Sequence, residues 1–143
     1  MENNQKIVCS NIWKLFGPNE KNILSNLDQS LSRNEVQEKT GHVVAVKEVS
    51  FSVQKGETFV VMGLSGSGKS TLVRCLSRLI EPTSGLVTID GVDVTKMNNK
   101  ELTDLRRNRM SMVFQHFGLF PHRRVIENIG YGLEIRGVGK KER

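Results

Sequence analysis

The stretch VVMGLSGSGKSTLVRCL (60–76) sets three glycines and three serines between an apolar run and a segment with helical spacing. Glycine loses more conformational freedom on folding than any other residue, so a core segment should not concentrate it. The pattern within is Gly63, Leu64, Ser65, Gly66, Ser67, Gly68, Lys69, Ser70, which fits G-x-x-x-x-G-K-[ST]. Its chemistry is known in outline. Backbone amides can wrap a polyphosphate only where no side chain intrudes and the backbone can take positive φ, and glycine meets both conditions. A helix starting at Lys69 adds unsatisfied N–H groups and the positive end of its dipole. Lys69 carries a full charge to the terminal phosphates, and the Ser70 hydroxyl is an oxygen ligand of the kind Mg²⁺ takes. A bare glycine-rich turn is the plain alternative. A G-x-S-x-G nucleophile elbow is excluded, because no glycine pair brackets a serine at that spacing.

The flanks give the loop its setting. TFVVMG (58–63) is β-branched and apolar throughout, as a strand covered on both faces should be. A helix is predicted over 69–80, with Leu72, Leu76 and Leu79 on one face. Upstream, 7–17 reads as a first strand ending at Gly17-Pro18. Residues 19–41 read as two short surface helices, an insertion, with Ile23, Leu27 and Leu31 at helical spacing. Ser32 and Glu35 fit a capping box, and Gly41 fits a helix stop. Residues 42–57 alternate like a strand with a break near Lys47-Glu48. Downstream, 86–91 reads as a strand closed by Asp90-Gly91, 99–107 as a solvated helix, 110–114 as a strand and 125–135 as a last helix. Strands alternating with helices define an α/β fold with a partly parallel core, and the glycine motif between strand and helix makes it a candidate P-loop NTPase.

Composition narrows the class. The 143 residues are 37% hydrophobic and 25% charged, ordinary for a globular domain. No apolar run approaches the roughly 18 residues of a membrane span, and MENNQKIVCSN has no apolar core of a secretory signal. Cys9 and Cys75 have no metal-ligand spacing, and a reducing cytosolic setting is expected, with Cys75 an inert core thiol. The net charge of +6 lies in 96–143, which holds eleven basic and five acidic side chains. A solvated face is the plain reading, and a nucleic-acid surface or a site near anionic lipid headgroups are the sharper ones. Aromatic residues are only 6%, and no nucleic-acid motif accompanies the charge, so no nucleic acid is expected as a partner. His116 and His122 form no recognisable ligand pattern, and no metal is assigned to them.

After the loop come TLVRCLSRLIEPTSGLVTIDGVDV and MSMVFQHFGLFPHRRVIENIGYGL. This order resembles the ATP-binding subunit of ABC transporters, with 63–70 as its Walker A loop and Phe114-Gln115 ahead of Pro121 as its Q-loop. IWKLFGPN, the helical insertion ending EKTG, and FQHFGLFPHRRVIENIGYGLEIRGV narrow the resemblance to the glycine betaine/proline uptake branch, over about residues 7–138. The resemblance implies an ATP- and Mg²⁺-binding site. Its residues would be Gly63, Leu64, Ser65, Gly66, Ser67, Gly68, Lys69, Ser70 and Thr71 around the phosphates, with Phe16 stacked on adenine and Trp13 as the nearby alternative. Lys69 and Gln115 would serve catalysis, and Ser70 and Gln115 would serve the metal. A glutamine suits that place, since its amide oxygen can ligate a cation and its NH₂ can donate.

The resemblance also implies partners. These are a membrane permease reached through 116–128, a second ATP-binding subunit, and indirectly a substrate-binding protein, with the chain peripheral at the cytoplasmic face of the membrane. Residues 1–143 would be the N-terminal portion of one ATP-binding domain, with 19–41 inserted and 96–143 opening a helical subdomain. The family's later signature segment, its Asp-Glu strand with the general base, and its switch histidine do not occur in these residues. The chain alone is therefore expected to bind MgATP weakly, to turn it over poorly, and to leave apolar surface uncovered. Other P-loop enzymes, a non-catalytic nucleotide-binding module and a DNA-acting ABC ATPase are the competing readings; no N-K-x-D guanine motif is present.

Overall fold

A computed structural model describes residues 4–116 and 118–143. The expectations that touch residues 1–3 and Phe117 lie outside it. The chain divides into two compact units, 1–110 and 111–143.

The first unit is built on strand β1 (Gln5–Phe16). Helices α1 (Glu20–Ser25) and α2 (Arg33–Thr40) follow, then strand β2 (Val43–Gln54). Helix α3 (Lys69–Leu76) comes after the glycine loop, then strands β3 (Ser84–Ile89) and β4 (Val92–Asp93) and helix α4 (Asn99–Asn108). The sheet order is β2-β1-β3-β4, and every pair is antiparallel. The parallel part of the expected core is absent among the described residues. Segments 58–63 and 110–114 carry strand composition but make no ladder. A parallel strand needs a neighbour fed by a crossover, and no described strand runs beside either one. Val60 is 67% exposed and Val113 99%. Residues 58–63 are still anchored: Phe59 stacks on Phe51 at 4.7 Å between centroids, and Val61 packs on the core.

β1 buries side chains on both faces, because it bends twice. Asn11 takes φ 49°, and its N–H meets the Ser50 hydroxyl at 2.8 Å, so Ser10 and Asn11 face one residue of β2. The expected break in β2 is real: Glu48 takes φ 52°, between the pairs Ile12–Val49 and Lys14–Val46. Cys9 and Ile12 then join Val46, Leu72, Cys75, Val87, Ile89, Val94, Leu102 and Leu105 in one core. Trp13 and Leu15 join Leu24, Val36 and Val44 in another. Each fully buried aliphatic or aromatic side chain there contributes about 1.5–3 kcal/mol.

The helical insertion forms as its sequence signals. Ser32 and Glu35 make the capping box, and Gly41 ends α2 at φ 73°. The insertion is not merely surface, since Leu24 and Val36 close the second core. α3 stops at Leu76, four residues short of the expected end, and Leu79 is 48% exposed. Arg78 takes φ 48° there, and its guanidinium donates to the carbonyls of Val94 and Met97, each at 2.8 Å. α4 is more than a solvated helix. Leu102 and Leu105 are buried, and Arg106 donates to the carbonyls of Ser77 and Arg78 just past the end of α3. The region 96–143 thus divides at 110, with α4 in the first unit. Asp90 (φ 51°) and Gly91 (φ 77°) make the expected hairpin turn, which continues into β4.

The second unit holds helix α5 (Val125–Glu134). Asn128 bonds the Phe120 N–H at 2.8 Å and donates to the carbonyls of Phe120, Arg123 and Arg124, tying the preceding loop to the helix start. Phe120 meets Tyr131 edge-on at 4.7 Å, with the Arg123 guanidinium over both rings. The Arg123 hydrogen bond to Glu134 holds that carboxyl below its usual range. Val125, Ile126 and Ile129 are exposed. No helix among the described residues is long and apolar enough to cross a membrane.

Candidate functional site

The glycine loop takes the backbone its sequence requires. Gly66 has φ 77° and Gly68 φ 97°, both in the left-handed region. A Cβ on Gly68 would lie 2.0 Å from the Ala45 carbonyl oxygen, so that position tolerates no side chain. Gly68 is the N-cap of α3, with no side-chain cap. The first amides of the helix therefore point outward without intrahelical partners, as at any helix start. The Lys69 ammonium lies across the loop. It donates to the Gly63 carbonyl at 2.9 Å, the Leu64 carbonyl at 2.7 Å and the Ser67 hydroxyl at 3.4 Å. Leu64, Ser65 and Ser70 are exposed, and Thr71 is half-buried on the first turn. The loop thus brings together eight predicted residues from Gly63 to Ser70, with Thr71 beside them. Backbone amides of a glycine-rich turn beside an ammonium are a donor set of the kind that anionic oxygens take.

Phe16 ends β1, paired with Val43, and its ring is 41% exposed. The Lys14 ammonium lies 5.0 Å from the ring centroid. Trp13 is ruled out as the stacking residue, because it is 2% exposed inside the second core. Lys14 is itself buried, in a salt bridge to Glu20 at 2.7 Å. Behind the ring, a Cβ on Gly17 would lie 2.3 Å from the His42 imidazole. The ring nitrogens of His42 sit 2.7 Å from the Pro18 carbonyl and 2.8 Å from the Thr40 carbonyl. The turn after Phe16 is thereby fixed to the start of β2.

Gln115 is exposed on irregular backbone in the second unit. Sequence reasoning did not single out Lys14, Glu20, His42 or Arg33. The Arg33 guanidinium reaches the Ser67 carbonyl from α2 at 3.4 Å. Nothing local marks these side chains, since each reaches a partner 6 to 34 positions away in sequence. Among the described residues, no cluster of His, Cys, Asp or Glu could hold a metal ion.

The ABC transporter family model matches residues 46–143, from β2 through the glycine loop to the last residue, and the chain belongs to that family. Its fold is that of the ABC ATPases. It superposes on the dimeric structure of the ATP-binding cassette MJ0796 bound to ADP and Pi with a TM-score of 0.71 and 28% identity, covering 93% of this chain and 49% of that one. It is 52% identical over 138 residues to the glycine betaine/carnitine transport ATP-binding protein GbuA of Listeria monocytogenes, covering 96% of this chain and 35% of the relative. It is 47% identical over 138 residues to the glycine betaine/proline betaine transport system ATP-binding protein ProV of Escherichia coli, again covering 96% of this chain and 34% of the relative. The chain thus spans about a third of the length of the curated relatives it matches.

Proposed function

We propose that the chain is the nucleotide-binding part of an ATPase that drives import of glycine betaine- or proline betaine-type osmolytes. The observation that carries the nucleotide reading is the loop 63–70, with left-handed backbone at Gly66 and Gly68 and one ammonium lying across it. The osmolyte class rests on the names of relatives about half identical over 96% of the chain.

In this reading the amides of 63–71 and the Lys69 charge bind the phosphates, and Phe16 stacks on adenine with the ring face not occupied by Lys14. Mg²⁺ fits the donor set: the exposed Ser70 hydroxyl is one hard oxygen, and a small cation that keeps most of its waters needs few protein ligands. A bound Mg²⁺ would supply charge neutralisation at the phosphates. By the family resemblance, Gln115 would supply a further oxygen ligand and would orient the attacking water. Residues 116–128 face a membrane permease. A second ATP-binding subunit and a solute-binding protein complete the assembly, which places the chain peripherally on the cytoplasmic face of the membrane.

Calorimetry with MgATP and with magnesium tripolyphosphate tests the site. Lys69→Ala weakens both by roughly 10- to 100-fold, the range for a charge-assisted hydrogen bond. Phe16→Ala weakens MgATP by about 3- to 10-fold, from lost stacking, and leaves tripolyphosphate unchanged. Folded protein that gives no heat with millimolar MgATP overturns the reading.

A further inference from the structure

We infer that Arg33, from the helical insertion, is a positioning residue of the phosphate loop: it orients and polarises the Gly68 amide through the Ser67 carbonyl. This rests on the nucleotide reading above and adds a residue to it.

Arg33 is the first residue of α2 and is exposed. Its Nη1 donates to the Ser67 carbonyl at 3.4 Å, across 34 positions of sequence. Among the described residues this is its one hydrogen bond, and no carboxylate pairs with it. The Ser67 C=O and the Gly68 N–H belong to one planar trans peptide, so they point in opposite directions. A cation held on the carbonyl side therefore turns the N–H away from itself. It also draws electron density along the peptide and makes that N–H a stronger donor. The Gly68 N–H has no acceptor among the described residues, although it lies at the helix start where anions bind. Gly68 takes φ 97° and has no room for a side chain, since a Cβ there would lie 2.0 Å from the Ala45 carbonyl oxygen.

The arginine is not a stray surface charge, because α2 is fixed at both its start and its middle. The capping box of Ser32 and Glu35 sets the first turn. Val36 is buried in the second core, and Lys47 donates to the Leu31 carbonyl at 3.0 Å, just ahead of the helix. The insertion thus holds a guanidinium against the outer side of the loop, while Lys69 spans the loop itself.

The experiment compares wild type, Arg33→Met and Arg33→Lys. Calorimetry reads MgATP and magnesium tripolyphosphate, and nitrogen-15 NMR reads the Gly68 amide without ligand. Arg33→Met is expected to weaken both ligands by the same factor, ~3- to 10-fold, at the low end for a long, exposed charge-assisted contact. It should also move the free-protein Gly68 amide resonance upfield, while helical circular dichroism is unchanged. Arg33→Lys recovers most of the affinity, since it keeps the charge. Unchanged affinity in Arg33→Met, loss for MgATP without loss for tripolyphosphate, or an unmoved Gly68 resonance each overturns the inference. Wild type that binds neither ligand defeats the nucleotide reading instead, and the Gly68 resonance still decides whether Arg33 acts on that peptide.

Discussion

Lys14 and Glu20 form one ion pair that serves packing and also borders the Phe16 ring. Lys14 is nearly enclosed, and Glu20 is about a quarter exposed. Removing one partner of a buried pair strands the other, which costs about 3–5 kcal/mol for full burial. Glu20 keeps some solvent, so Lys14→Met is expected to cost about 2 kcal/mol. Denaturant unfolding measures this. Lys14→Met with Glu20→Gln should restore most of the loss, because no unpaired charge is left. The same lysine sits under the Phe16 ring, so the double variant also withdraws a cation from the proposed stacking surface. Phe16 was singled out through the family resemblance alone, at its place just ahead of Gly17. Lys14 was not, because a lone lysine within an apolar strand reads as solvent-facing until its carboxylate partner is known.

Among the elements, the glycine loop carried the most readable information. Its chemistry is local: each glycine is required by backbone torsion or by close approach, and Lys69 and Ser70 follow at fixed spacing. Gly68→Ala tests the close approach. The added methyl meets the Ala45 carbonyl at 2.0 Å in a left-handed backbone. The loop must shift, at a cost of about 2 kcal/mol in urea unfolding, and MgATP affinity should fall with it. The capping signals of α2 and the Asp90-Gly91 hairpin were legible for the same reason. The segments 58–63 and 110–114 were not. Their composition states a preference for ladders, but a ladder also needs a neighbouring strand, and no run of residues announces its neighbour. α3 ended early because Arg78 and Arg106 capture carbonyls beyond it, contacts set by residues 16 to 29 positions away.

At the scale of the whole chain, the two thiols report on the integrity of the first core. Burial pushes Cys9 up to about 12 and Cys75 up to about 11. An unfolded thiol titrates at about 8.5. The fold therefore holds protons that the unfolded chain releases. This contribution to stability is intact below about pH 8.5 and erodes as pH rises from there through the two folded values. Labelling with a thiol reagent at pH 8 should be slower than in denaturant by on the order of 100-fold. Rapid labelling of native protein would show that the core opens without unfolding. The α/β class and the two-helix insertion were legible because hydrophobic period is written along the chain. The division at residue 110 was not, since α4 joins the first unit through Leu102 and Leu105, side chains that a polar helix seemed to leave without a destination.

The kink at Asn11 meets Gly85, where a methyl would lie 2.4 Å from the Asn11 carbonyl. The two fit like a notch and a tooth. A slip of one residue between these strands would drive an ordinary side chain into that carbonyl, so the alignment has a mechanical stop. Phe16 lies five residues along the same strand, so its place on the sheet is gauged from that stop.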